Sequence, residues 1–130
     1  MNEENYIKAT KEVMSKAYVP YSNYPVGALI VTNNGNTYSG CNVENASYPL
    51  GNCAEASAIA SMILGGEKKI KTIYIMTKND EGAIPCGGCR QRIREFSDEN
   101  TQIMMCSPDG VQERINLSEL LPNSFGPEHL

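Results

Sequence analysis

Apolar side chains return at three- and four-residue steps early in the chain, where Tyr6, Ile7, Val13, Met14, Ala17 and Tyr18, with Thr10, share one face of a helix over residues 3–18. Pro20 ends that helix. Two runs rich in β-branched and aromatic residues follow at 26–32 and 37–43. They are joined by Asn33-Asn34-Gly35-Asn36, residues that tolerate positive φ, which predicts a β-hairpin. After a turn-prone stretch at 45–52, residues 54–64 are built from Ala, Ile, Met, Leu, Glu and Ser and stop at Gly65-Gly66. This second helix is apolar almost all round and is expected to be buried. Residues 71–77 predict a short strand, Ile84-Pro85-Cys86-Gly87-Gly88-Cys89 a glycine-broken turn, and 90–96 a third helix with Arg92, Arg94 and Glu95 on its exposed face. Strands at 102–106 and 111–115 flank a turn at 107–110, and Pro122 halts a helical turn at 117–121. The order α-β-β-α-β-α-β-β-α contains no internal repeat, low-complexity segment or linker. It predicts one α/β domain over residues 1–130, with helices covering a central mixed sheet.

Composition narrows the chemistry. A hydrophobic fraction of 41% is that of a globular chain, and a net charge of −4 without any Trp offers no basic, aromatic stripe for nucleic-acid polymers. No run approaches the roughly 18 apolar residues that span a bilayer, and the acidic start has neither the positive region nor the apolar stretch of an export signal. A cytoplasmic protein without a membrane partner is expected. Five cysteines cannot all pair, and a reducing compartment disfavours disulfides, so clustered cysteines point to metal or catalysis. Cys86 and Cys89 are clustered as CxxC, whereas Cys41, Cys53 and Cys106 lie apart, and spacing alone does not say which of these joins the pair.

Two short clusters stand out, Cys53-Ala54-Glu55 at the start of the second predicted helix and Pro85-Cys86-Gly87-Gly88-Cys89 at the start of the third. A helix start presents unpaired N–H groups and a partial positive charge, so thiolates there are stabilised and their pKa falls. Three cysteine ligands leave one corner of a zinc tetrahedron open to water, which distinguishes a catalytic from a structural site. Glu55, in the first turn beyond Cys53, is a poor ligand for a soft metal but well placed as a proton carrier. Cys41 and Cys106 fall in strands and are expected to act as small hydrophobes, and His129 to be exposed near the chain end.

These clusters match the zinc deaminase signature of a Cys or His, one residue and Glu, followed later by Pro-Cys-x-x-Cys. With Cys as first ligand the chain resembles the small homotetrameric cytidine deaminases. The blocks PYSNYPVGA at 20–28, GCNVENASY at 40–48, NCAEASA at 52–58, PCGGCRQ at 85–91 and LLPNSF at 120–125 look like that family's, in order. The resemblance implies a three-layer α-β-α fold with a five-stranded mixed sheet. It further implies one Zn2+ per chain on Cys53, Cys86 and Cys89, with Glu55 as catalytic proton shuttle. The implied reaction converts cytidine and 2′-deoxycytidine to uridine and 2′-deoxyuridine with release of ammonia, in pyrimidine salvage. Asn42 and Glu44 match positions that hold the sugar hydroxyls, Tyr24 an aromatic position on the base, and Ala54 a backbone contact to the pyrimidine edge. Ala46, Tyr48 and Phe125 match positions that reach a neighbouring subunit's pocket, implying a homotetramer with shared active sites. One departure is Ala56, where many members carry Arg after the catalytic Glu; Arg90 or Arg92 is expected to supply the missing positive charge. A blasticidin-type deaminase acting on a nucleoside antibiotic, a polynucleotide-editing deaminase and a binding module with structural zinc stand as alternatives.

Overall fold

The computed structural model describes residues 2–130. Its helices are α1 (Glu3–Met14), α2 (Ala54–Leu64), α3 (Gly87–Glu95) and α4 (Leu117–Leu120). Its strands are β1 (Gly27–Val31), β2 (Thr37–Cys41), β3 (Thr72–Met76), β4 (Gln102–Ser107) and β5 (Gly110–Asn116), joined in one sheet in the order β2-β1-β3-β4-β5. Only the β3–β4 pair is parallel, because α3 carries the chain back across the sheet between them; the other pairs are antiparallel. The mixed five-stranded α-β-α sandwich is the expected fold.

Strict alternation along the central strands explains why both faces need a cover. Ala28 and Ile30, Ile73 and Ile75, and Ile103 and Met105 point to one side, where Ala58, Ile59 and Met62 of α2 and Ile93 of α3 close over them. Leu29 and Val31, Tyr74 and Met76, and Met104 and Cys106 point to the other, where α1 seals them with Tyr6, Ile7, Ala9 and Met14. Two glycines set how closely the helices approach. A Cβ on Gly27 would lie 2.6 Å from the Met14 backbone nitrogen, and one on Gly40 would overlap the Ala58 backbone nitrogen. α2 therefore rests directly on β2, which fixes where its first turn points.

Three departures from the sequence expectations have physical causes. α1 ends at Met14 rather than at residue 18, because Tyr18 leaves the helix to pair with the strand end beyond β2: its N–H donates to the Asn42 carbonyl at 3.0 Å and its carbonyl accepts from Glu44 N at 2.9 Å. α3 starts at Gly87, three residues before the predicted Arg90, with Cys86 as its N-cap. The first helical residues have no intrahelical N–H partner to lose, so two glycines are tolerated there. Finally, α2 is not buried all round. It buries Ala54, Glu55, Ala58, Ile59 and Met62 but leaves Ile63 and Leu64 exposed, Leu64 by 90%. Its outer face is apolar surface.

Candidate active site

The loop leaving the carboxyl end of β3 delivers Cys86 to the start of α3, and the segment after β2 delivers Cys53 to the start of α2. Both cysteines are N-caps, and Cys89 follows Cys86 by one helical turn on the same face of α3. The packing of α2 beside α3 brings the three sulfurs within 4.8 Å of one another. Four ligands at the roughly 2.3 Å of a Zn–S bond stand about 3.8 Å apart in a tetrahedron, so an ion fits between these sulfurs with a small contraction. Among the described residues no fourth Cys, His, Asp or Glu joins the cluster. Cys106 is fully buried and Cys41 half-buried, both away from it. His129 is tied elsewhere, accepting from the Gly126 N–H at 2.9 Å.

The electrostatics of the cluster differ from residue to residue. The Cys86 thiol is lowered, chiefly by the backbone N–H of Cys89 and also that of Gly88, as a helix start should do. The Cys53 and Cys89 thiols are instead raised, first by burial, and Cys89 further by the charges of Glu55 and Cys53. The expectation that helix starts acidify all three is thus corrected: burial wins at two of them. Crowded thiols that oppose one another's ionisation are relieved by a divalent cation between them, so the donor set fits zinc. Arg92 Nη1 lies 3.5 Å from the Cys89 sulfur. Arg90 is committed to backbone carbonyls, its Nε donating to Pro85 O at 2.9 Å and its Nη1 to Leu120 O at 2.7 Å, and its guanidinium is directed away from hydrogen bonding with the sulfurs.

Glu55 is the second residue of α2 and only 5% exposed. Burial raises its carboxyl above the ordinary range, against the opposing pull of its own backbone N–H, the Cys89 thiol and the Arg92 charge. Its side chain and the three cysteines line a cavity of about 170 Å³, walled also by Tyr24, Val26, Asn42, Ala54, Ile75 and Ile84. Ala54 is wholly buried, whereas Tyr24 is 37% exposed at the rim. The Asn42 amide braces the wall, accepting from Val26 N at 2.8 Å and donating to Tyr24 O at 2.9 Å. Glu44 does not line this cavity. It faces a neighbouring recess with Tyr21 and Tyr48, where its carboxylate accepts from Tyr21 N at 3.0 Å, Ser22 N at 3.2 Å and the Ser22 hydroxyl, which hold it below its usual range. Ala46, Tyr48 and Phe125 are exposed and lie outside their own chain's cavity.

Val26, Ile75 and Ile84 line the site without having been singled out in the sequence. Ile75 carried a usable signal, since strand alternation places it on the α2 face, and so did Val26, two residues before Ala28 in the run predicted at 26–32; Ile84 sits in a loop whose course follows from no periodicity. Arg94, expected as solvated charge, is largely covered, pairing with Glu128 at 2.6 Å and donating to the Ser124 hydroxyl at 3.1 Å. It thereby fastens the segment that bears Phe125.

The comparisons with known proteins agree with this arrangement. Residues 1–105 match the family model described as cytidine and deoxycytidylate deaminase zinc-binding region. A cytidine deaminase of Sporosarcina psychrophila is 35% identical over 130 residues, 100% of this chain and 96% of that one. One of Mycoplasma genitalium is 40% identical over 127 residues, 96% of each. The crystal structure of cytidine deaminase from Burkholderia pseudomallei superposes with a TM-score of 0.90 at 38% identity, covering 96% of this chain and 100% of that one. With a three-cysteine cluster able to hold one metal ion, a buried glutamate beside it and similarity along its whole length, the chain belongs to the cytidine and deoxycytidylate deaminase family of zinc-binding hydrolytic deaminases.

Proposed function

We propose that the chain hydrolyses the 4-amino group of cytidine and 2′-deoxycytidine, consuming one water and giving the uracil nucleoside and ammonia. The observation that carries this reading is the convergence of three cysteine sulfurs on a small cavity whose one carboxylate is the buried Glu55. Cys53, Cys86 and Cys89 would hold the zinc, which would supply a Lewis acid able to bring the pKa of water toward neutrality. Glu55 performs the proton transfers: it takes a proton from water and delivers it to ring N3, then takes the second proton from the oxygen now bonded to C4 and delivers it to the departing amine. A carboxyl raised by burial holds a proton more readily than an exposed one, which suits a group that must both accept and return it.

The flat apolar wall of Val26, Ile75 and Ile84, with Tyr24 at the rim, suits a pyrimidine ring, and the Ala54 backbone faces its edge. Asn42 at the wall and Glu44 next to it address the sugar hydroxyls; a carboxylate has about four acceptor sites, of which three are occupied here. No lysine or arginine lines either recess, so an uncharged nucleoside fits better than its phosphate. At about 170 Å³ the cavity is smaller than the roughly 300–1,000 Å³ usual for small-molecule sites. Ala46, Tyr48 and Phe125, exposed in one chain, complete the cavity of a neighbouring subunit in a homotetramer, and the apolar outer face of α2 is further surface to cover. Five unpaired cysteines suit a reducing cytoplasm and a role in pyrimidine salvage.

The test combines zinc content per chain, mass in solution and the ultraviolet absorbance change with cytidine, 2′-deoxycytidine, deoxycytidylate and blasticidin S, each with and without a chelator. Chelator-sensitive turnover of the two nucleosides is the expected result. A zinc-loaded protein inert toward both would refute the proposal.

A further inference from the structure

Arg92 follows Cys89 by one turn of α3, and long helical side chains lean back toward the helix start. Its Nη1 accordingly reaches to 3.5 Å from the Cys89 sulfur. Two small residues leave it room. Ala56 of α2 shares the surface recess in which Arg92 lies, and at Gly88 a Cβ would stand 3.4 Å from Arg92 Nη1 and 4.0 Å from the Cys86 sulfur. The other arginines of α3 are committed elsewhere, Arg90 to backbone carbonyls and Arg94 to Glu128. Among the described residues no carboxylate lies within ion-pair reach of Arg92. Arg92 also lies outside the cavity lined by Glu55, so it addresses the sulfurs from behind and leaves the reacting side free.

We propose that Arg92 is the positioning residue of the three-cysteine centre, donating an N–H to the Cys89 sulfur and offsetting the net negative charge that three thiolates leave around one divalent ion. Three thiolates and Zn2+ sum to −1, and an adjacent cation lowers the cost of that charge. The N–H···S bond fixes the direction of the sulfur lone pairs and competes with the protonation through which a thiolate ligand is lost. Lysine keeps the charge but not the planar fork, and glutamine keeps neither the charge nor the reach.

This assignment depends on the zinc reading above, and the experiment separates the two. Purified zinc-loaded parent, Arg92→Gln and Arg92→Lys are challenged with excess chromogenic chelator, and the same proteins loaded with cobalt(II) are examined for their thiolate-to-metal charge-transfer band. Groups that support metal ligands typically change affinity 10–100-fold, and solvent screening of an exposed guanidinium places Arg92→Gln at about a tenfold faster zinc release. The cobalt band should move in Arg92→Gln, the melting temperature of the metal-free protein should stay at the parent value, and Arg92→Lys should release zinc more slowly than the glutamine variant. Parent-like release from Arg92→Gln with an unmoved cobalt band overturns the assignment, as does a lysine variant that retains zinc no better than the glutamine one. A parent protein that holds no stoichiometric zinc would instead overturn the metal reading itself.

Discussion

Replacing Glu55 with glutamine separates proton transfer from every other contribution of the site. The side chain keeps its volume in a position only 5% exposed, and a neutral amide costs less to bury than a carboxylate. The variant should fold with a thermal midpoint at or above the parent's and carry the same zinc per chain, since Cys53, Cys86 and Cys89 are untouched. General acid–base catalysis by one group contributes about 10²- to 10⁴-fold. Glu55 is the one carboxylate of the cavity and serves every proton transfer, so kcat should fall by at least the upper figure. Four decades correspond to about 5 kcal/mol of lost transition-state stabilisation. KM should change little, because the ring and sugar contacts remain. The assay is the absorbance change with cytidine at saturating and limiting concentrations, run on protein whose zinc has been quantified. Turnover within about tenfold of the parent in zinc-loaded Glu55→Gln would refute the assignment of the proton carrier.

Cys86→Ala and Cys89→Ala should each lose zinc together with activity, in contrast to Glu55→Gln, because a ligand rather than a proton carrier has gone; metal analysis after dialysis checks this. Gly40→Ala forces a Cβ against the Ala58 backbone and must displace α2, so it should cost about 1–3 kcal/mol in urea denaturation and weaken zinc retention, since α2 carries both Cys53 and Glu55. Arg114 holds the Glu3 carboxyl below its ordinary value of 4.5 through a hydrogen bond of 2.6 Å that ties α1 to β5. A depressed carboxyl contributes stability above the unfolded value and loses it as pH falls through the folded one. Glu3→Gln should therefore be less stable than the parent at pH 7, with the gap closing as pH falls from the ordinary value of 4.5 through the lower folded one. Both side chains are more than a third exposed, so that gap should stay under about 1 kcal/mol in denaturant titrations.

Much of the site was legible because short-range rules act on neighbouring residues. Cys53-Ala54-Glu55 and Cys86-Gly87-Gly88-Cys89 fix which groups share a helical turn, whatever the rest of the chain does. The bounds of α2 at Ala54–Leu64 followed from composition and the Gly65-Gly66 stop. The outward face of α2, carrying Ile63 and Leu64, was not legible, since a helix of uniform hydropathy does not say which side a sheet will cover. Nor was the end of α1: Ala17 and Tyr18 continue the helical pattern, and only the pairing of Tyr18 with Asn42 and Glu44 takes them out of it. Arg90, Arg92 and Arg94 read alike in sequence and have three different partners in the fold.

By itself the sequence determined the element order, the apolar runs of β1, β3 and β4 that need a cover on both faces, and the two short clusters that offer candidate metal ligands and a candidate proton carrier. These depend on residues within a few positions of one another. The tertiary structure decided which cysteines meet, that its surroundings lower the Cys86 thiol while burial raises those of Cys53 and Cys89, and that Arg92 rather than Arg90 hydrogen-bonds a sulfur. The distance between two helix starts is set by how α2 and α3 pack on the sheet, and the degree of burial by what covers them. Neither quantity is a property of a local segment.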